Sequence, residues 1–239
     1  MALLSNISAK PARIPKTSPS SAPKLIKSNK KIIKNQQKVE KPLNKTQLYS
    51  LSPAADSFKG PTPIIALDCE MVLGVDDLKH IARISLVNYN RQVLLDTFVR
   101  PAVEVKNYLT EVTNITHHQL RGTRPLPELL PVVRELLAGR TLVGHSLQND
   151  LQLLGAEVEV RRVRDVSLFR GYRNGKYRQG LKALALAFLG LNVQSGAHSS
   201  VEDARAALEL YKLNAAAIDR DFRDTQLQQL RAAVLPATP

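Results

Sequence analysis

The chain is 239 residues long, with 34 Lys and Arg against 21 Asp and Glu, a net charge of +13 and 44% hydrophobic residues. That supplies a core for one large or two small domains, while a single cysteine, Cys69, excludes a scaffold stapled by internal disulfides. No apolar run approaches the roughly 20 residues that span a bilayer, so a soluble intracellular protein with no membrane partner is expected.

The charge is uneven. Residues 1–60 hold twelve basic residues against two acidic ones, so +10 of the +13 lies there and the rest is close to neutral. Residues 1–62 are rich in Lys, Ser, Pro, Asn and Gln and poor in aromatics. Such a stretch has too little apolar surface to offset the entropy of ordering, and a disordered basic extension is expected. Its lysines, densest over residues 24–41, suit a nuclear or nucleolar address or sequence-independent affinity for RNA. Because no acid precedes Glu40, an organellar transit peptide is the alternative.

From Ile64 the pattern changes. Residues 64–67 read as a buried strand, and residues 82–89 and 92–99 as two more joined by a tight Asn90-Arg91 turn. Leu126, Leu129, Leu130, Val133, Leu136 and Leu137 form the apolar stripe of a helix. Residues 141–144 are a short buried strand, residues 147–154 a helix capped by Ser146, and residues 163–166 a last strand. Two helices, 181–189 and 201 to about 218, close the domain. The order points to a mixed α/β fold with a five-stranded sheet flanked by helices over residues 63–218, and a C-terminal tail over 219–239.

Three short motifs carry charge where a core would not. Asp68-Cys69-Glu70 ends the first strand, so alternation puts both carboxylates on one face and Cys69 on the other. Paired carboxylates repel unless a cation lies between them, and oxygen-rich sites suit Mg²⁺ or Mn²⁺; taken alone, the same triplet also describes a polar strand end in solvent. His145-Ser146-Leu147-Gln148-Asn149-Asp150 leads from strand to helix and puts Asp150 on the inner stripe of a first turn, where a favourable charge near the helix N-terminus is the competing account. His145 reads as a structural histidine. In His198-Ser199-Ser200-Val201-Glu202-Asp203, Ser199 and Glu202 match a capping box, and His198 and Asp203 share the N-terminal end of one helix.

Together and in this order, the motifs resemble the DEDDh 3′→5′ exonucleases of the RNase H-like fold. The strings Ala66-Leu67-Asp68-Cys69-Glu70-Met71-Val72 and His198-Ser199-Ser200-Val201-Glu202-Asp203-Ala204-Arg205 are most similar to the branch that holds RNA exonuclease 4 and the interferon-stimulated exonuclease. The resemblance runs from about Ile64 to Tyr211, and the basic extension favours the RNA exonuclease 4 type. Leu73, Val166 and Gly180 depart from the usual residues of that branch, at positions that bear on substrate fit. The resemblance implies two Mg²⁺ ions, with Mn²⁺ as a substitute, held by Asp68, Glu70, Asp150 and Asp203, with His198 as general base. It implies release of nucleoside 5′-monophosphates from the 3′ ends of single-stranded RNA, with pre-ribosomal RNA in the nucleus as the expected substrate. An imidazole ordinarily titrates near pH 6.5, which suits that proton transfer.

The stretch from Arg161 to Lys182 adds Arg162, Arg164, Arg170, Arg173, Lys176 and Arg178, with Phe169, Tyr172 and Tyr177 interleaved. Cations neutralise phosphates and aromatics stack unpaired bases, so Arg170, Tyr172, Arg173, Tyr177 and Arg178 are candidate RNA contacts; a solvated loop is the bland account. Met71 and Leu147 flank catalytic positions and are candidates for contact with the terminal nucleotide. The alternatives are an exonuclease acting on single-stranded DNA or short oligonucleotides, and a catalytically inactive RNA-binding scaffold. An intact set of five metal and base positions argues against the scaffold.

Overall fold

The computed structural model describes residues 50–155, 162–196 and 198–234, the last few of these in backbone only. Strand β1 (Ile64–Gly74) is the centre of the sheet. Ile65, Ala66 and Leu67 are buried on both faces, which is why its first half is continuously apolar. It pairs antiparallel with β2 (Lys79–Asn88), which in turn pairs with β3 (Val93–Phe98). On its other side β5 (Thr141–Gly144) and then β6 (Val163–Asp165) run parallel to it. The expected mixed α/β sheet is present, in the order β3-β2-β1-β5-β6.

One strand was not foreseen. The end of β1 overshoots β5, and β4 (Val105–Asn107) pairs antiparallel with it, Leu73 opposite Asn107 and Gly74 opposite Val105. Three residues without apolar alternation leave no strand signal in the sequence. The β2–β3 turn falls where expected: Arg91 has a left-handed backbone (φ 69), and the buried Asn88 accepts hydrogen bonds on its side-chain oxygen from the backbone of Asn90 and Gln92.

Helices cover both faces. After the short α1 (Thr110–Thr113) and α2 (His117–Leu120), α3 (Leu126–Leu137) lays Leu129, Val133 and Leu137 against Ile65, Leu67, Ile84 and Leu86. Helix α4 (Gln148–Leu154) joins this face through Leu154. On the opposite face α5 (Leu181–Leu184), which runs on as a π turn through Ala185–Leu189, and α6 (Ser200–Leu213) bury Leu184, Ala204, Ala207 and Leu208 with Ala66, Val87 and Val143. The alternation of β1 therefore turns Asp68 and Glu70 toward α6.

Both ends of the domain differ from the sequence expectation. Residues 50–62 do not behave as a disordered extension: Leu51 packs on the core, the carbonyls of Phe58 and Gly60 accept from Asn88 Nδ2 at 2.8 Å each, and Thr62 Oγ1 accepts from Tyr89 N. The expectation for residues 1–49 lies outside the described residues. At the other end α6 stops at Asn214 and the chain continues as α7 (Ala215–Val234), where a tail was expected from 219. Ile218 is fully buried, Asp219 pairs with Arg164 at 2.6 Å, and Asp221 pairs with Arg170. Among the described residues no helix is long and apolar enough to cross a membrane.

Candidate active site

The strand β1 turns Asp68 and Glu70 to one face of the sheet and then changes register with β2 between Glu70 and Met71. Glu70 is buried, and its Oε1 has no hydrogen-bond partner among the described residues. Burial pushes its carboxyl up to about 7; Asp203 adds to the shift, and Arg83, opposite it on β2, opposes it. Arg83 is itself bound bidentately by Asp96, at 2.8 Å through each nitrogen. Asp68 keeps some solvent contact, yet burial among protein atoms, with Asp203, Asp150 and Glu70 nearby, holds it well above the usual carboxylate range.

Asp150 comes from the first turn of α4. Its Oδ1 accepts a 3.0 Å hydrogen bond from the backbone N–H of Cys69, between the two β1 carboxylates. Burial raises it to about 6, against the hydrogen bonds it accepts from its own backbone and from Cys69. The turn that leads there is tight. A Cβ on Gly144 would stand 2.3 Å from Leu147 Cδ2 and 2.9 Å from the carbonyl oxygen of Leu67, and Ser146 is left-handed (φ 60). Gly144→Ala should therefore cost stability by the roughly 1–3 kcal/mol of overpacking and lower activity by displacing Leu67, the neighbour of Asp68. Urea denaturation beside a turnover assay checks both; native stability would contradict this packing.

Helix α4 is not capped by Ser146. Asp165, buried at the end of β6, accepts from the backbone of Ser146 at 2.9 Å and of Leu147 at 3.1 Å. Nor does Ser199 form a capping box with Glu202: it starts α6 without a side-chain cap, and the hydroxyl that does structural work is that of Ser200, which donates to the carbonyl of Asp68 at 2.9 Å. That bond fixes the start of α6 against β1. Asp203 in the first turn is 3% exposed and raised above its ordinary range, chiefly by burial. His198 is held by its backbone N–H, which donates to Val112 O at 2.7 Å, and its Nδ1 lies 3.5 Å from Asp203 Oδ2.

Thus Glu70, His198 and Asp203 offer ligand atoms within 4.8 Å of one another, and Asp203, Asp150 and Glu70 all lie close enough to raise the carboxyl of Asp68. Four carboxyl groups pushed up by burial, two of them with a buried oxygen that lacks a partner among the described residues, form a site short of positive charge. Oxygen donors of this kind fit a hard divalent cation.

The sequence pattern of the exonuclease family (RNase T) matches residues 65–211, which hold all five of these positions. The chain belongs to the exonuclease family. It is 41% identical over 176 residues to RNA exonuclease 4 of Aspergillus fumigatus, covering 71% of this chain and 55% of that protein. It is 36% identical over 162 residues to RNA exonuclease 4 of Xenopus tropicalis, covering 66% and 39%. The chain thus spans about half, or less, of the length of these relatives. Its fold is similar to the Neurospora crassa Pan2 catalytic unit of protease and nuclease domains (TM-score 0.60, 24% identity, 80% of this chain and 33% of that chain). It is also similar to the Saccharomyces cerevisiae Pan2 pseudoubiquitin hydrolase–RNA exonuclease module in complex with AAGGAA RNA (TM-score 0.59, 25% identity, 80% and 36%).

Within this exonuclease domain the expected nucleic-acid contacts divide. Leu147 is buried, packed in the apolar core of one sheet face. Tyr172 is 1% exposed, with its hydroxyl donating to Leu210 O at 2.6 Å, so it is a core residue and not a stacking platform. Arg170 is paired with Asp221, and Arg173 donates to Leu168 O. Met71 is half-buried; Tyr177, 68% exposed with Lys176 over its ring, and Arg178 face solvent. His145 binds Gln179 O through Nε2 at 2.8 Å, a structural contact as read. Sequence reasoning missed Asp165 and Gln194. That Asp165 is the one acid in a strongly basic stretch was the available signal for it.

Proposed function

We propose that the chain is a Mg²⁺-dependent 3′→5′ exoribonuclease that releases nucleoside 5′-monophosphates from single-stranded 3′ ends, acting in the nucleus on pre-ribosomal RNA. The observation that carries the proposal is the convergence of Asp68, Glu70, Asp150, His198 and Asp203, from β1, the first turns of two helices and the segment just before the second, on one cation-poor site. The names of the relatives support RNA as the substrate. Asp68, Glu70, Asp150 and Asp203 would hold the ions. Bound Mg²⁺ supplies Lewis acidity to an in-line phosphoryl displacement, neutralising charge on the attacking and leaving oxygens. His198 accepts the proton of the attacking water; with Nδ1 turned to Asp203, Nε2 is the nitrogen that receives it. Arg178 and Tyr177, both exposed, would meet a phosphate and a base of the strand behind the reacting nucleotide.

The decisive experiment incubates purified protein with 3′-labelled single-stranded RNA and DNA, with and without Mg²⁺. Mononucleotides should appear from the first turnover on RNA with Mg²⁺ alone, and a 3′-phosphate should block degradation. Cleavage of a circular RNA, which has no end, would refute exonucleolytic polarity, and no Mg²⁺-dependent product would leave an RNA-binding scaffold.

Residues 1–49 hold eleven basic residues against one acidic and none of the site residues. Their deletion spares the contacts of residues 50–62 and should leave hydrolysis of a saturating short oligonucleotide unchanged. Binding to long RNA should weaken and depend less steeply on salt, because fewer counterions are released. Nuclear enrichment of a fluorescent fusion should be lost on the same deletion; import into an organelle with cleavage of the segment would instead show a transit peptide.

A further inference from the structure

The two oxygens of Asp203 are treated differently. Oδ2 accepts a 2.6 Å hydrogen bond from Gln194 Nε2 and lies 3.5 Å from His198 Nδ1, while Oδ1 is buried with no hydrogen-bond partner among the described residues. Gln194 is held in turn. Val193 before it is buried in the core, its own carbonyl oxygen accepts from Lys182 Nζ at 2.7 Å, and its backbone sits at φ 53, a left-handed conformation that glutamine rarely adopts. Backbone kept in a sparsely populated region persists only where its surroundings over-determine it, and such positions gather at functional sites.

We infer that Gln194 is a positioning residue of the metal site, its amide locking the Asp203 carboxylate so that Oδ1 is left free for a cation. The inference rests on the reading of Asp203 as a metal ligand. A ligating carboxylate is oriented by the hydrogen bonds its other oxygen accepts. A neutral amide does this without contributing a charge that competes for the ion. Without it, the Asp203 carboxylate is free to rotate toward His198, which withdraws an oxygen from the cluster and changes the setting of the imidazole. Glu70 Oε1 is the other buried carboxylate oxygen without a hydrogen-bond partner among the described residues, and Glu70 offers its ligand atom to the same cluster.

The test is Mn²⁺ binding to the full chain, measured by titration calorimetry without substrate, beside the metal-free melting temperature. Gln194→Gly removes the amide and relieves the left-handed backbone; Gln194→Leu removes the amide and keeps the bulk. Both should raise the Mn²⁺ Kd about tenfold or more, the scale of losing an outer hydrogen-bond partner, and Gln194→Gly should melt no lower than the native protein. An unchanged Kd in both variants overturns the inference. So does a weakened Kd only in a variant that has also lost metal-free stability, which would make Gln194 a structural residue. If the native protein itself binds no Mn²⁺, the metal-site reading fails and takes this inference with it; native binding with equal binding by the variants sinks this inference alone.

Discussion

Asp203→Asn, and equally Asp68→Asn, should lower Mg²⁺-dependent hydrolysis by about 10³-fold or more, the several kcal/mol that a Lewis-acid ion supplies to phosphoryl displacement. The metal-free fold should melt no lower than the native one, because the change removes a charge from a site that has too many. Asp68, Glu70, Asp150 and Asp203 are all raised by burial, and repulsion from the neighbouring site carboxylates adds to the shift at Asp68 and Glu70. A carboxyl whose pKa rises on folding is favoured by the fold in its protonated form, so its contribution is complete below the unfolded value and is lost as pH rises through the folded one. Glu70 moves from 4.5 to about 7 and Asp150 from 3.8 to about 6. Between about pH 4 and pH 7 the metal-free protein should therefore lose stability, on the order of 3 kcal/mol through Glu70. Calorimetric melting at about pH 5 and pH 8, with and without Mg²⁺, reads this directly. The melting temperature should fall with pH, recover on adding Mg²⁺, and fall less steeply in Asp203→Asn, since Asp203 is the largest charge acting on Glu70. A Mg²⁺-induced shift retained by Asp203→Asn would contradict the assignment.

The site was more legible in the sequence than its supports. Asp68 and Glu70 follow from alternation in a strand, and Asp150 and Asp203 from their place in first turns, because each relation spans a few residues. What holds them is long-range. Asp165 caps α4 from 18 residues away, and Asp150 reaches the backbone of Cys69 across 81 residues; local patterns instead favoured Ser146 and Ser199, whose side chains make no cap. The same limit explains Tyr172. An aromatic among arginines reads as a nucleic-acid contact until the sheet and α6 close over it and its hydroxyl finds Leu210 O. Arg170, a candidate RNA contact by composition, and Arg164 in the same basic stretch find acids in α7, a helix whose weak apolar stripe left no sign that it docks.

His198→Ala should lower kcat by the roughly 10²–10⁴-fold that a lost general base costs, while Mn²⁺ binding weakens far less than in Asp203→Asn. The geometry separates the two effects. The position of residue 198 is set by its backbone N–H on Val112 O, a bond that alanine keeps, so the start of α6 and the four carboxylates stay in place. What alanine removes is an imidazole a quarter exposed to solvent, close to Asp203 through one nitrogen and open through the other. His198→Gln retains a hydrogen-bonding side chain without a titratable nitrogen, and should fall as far as alanine if proton transfer is the role. Near-native turnover in His198→Ala would leave the carboxylates and their ions as the whole catalyst, and full activity in His198→Gln alone would reduce the histidine to a hydrogen-bonding partner of Asp203.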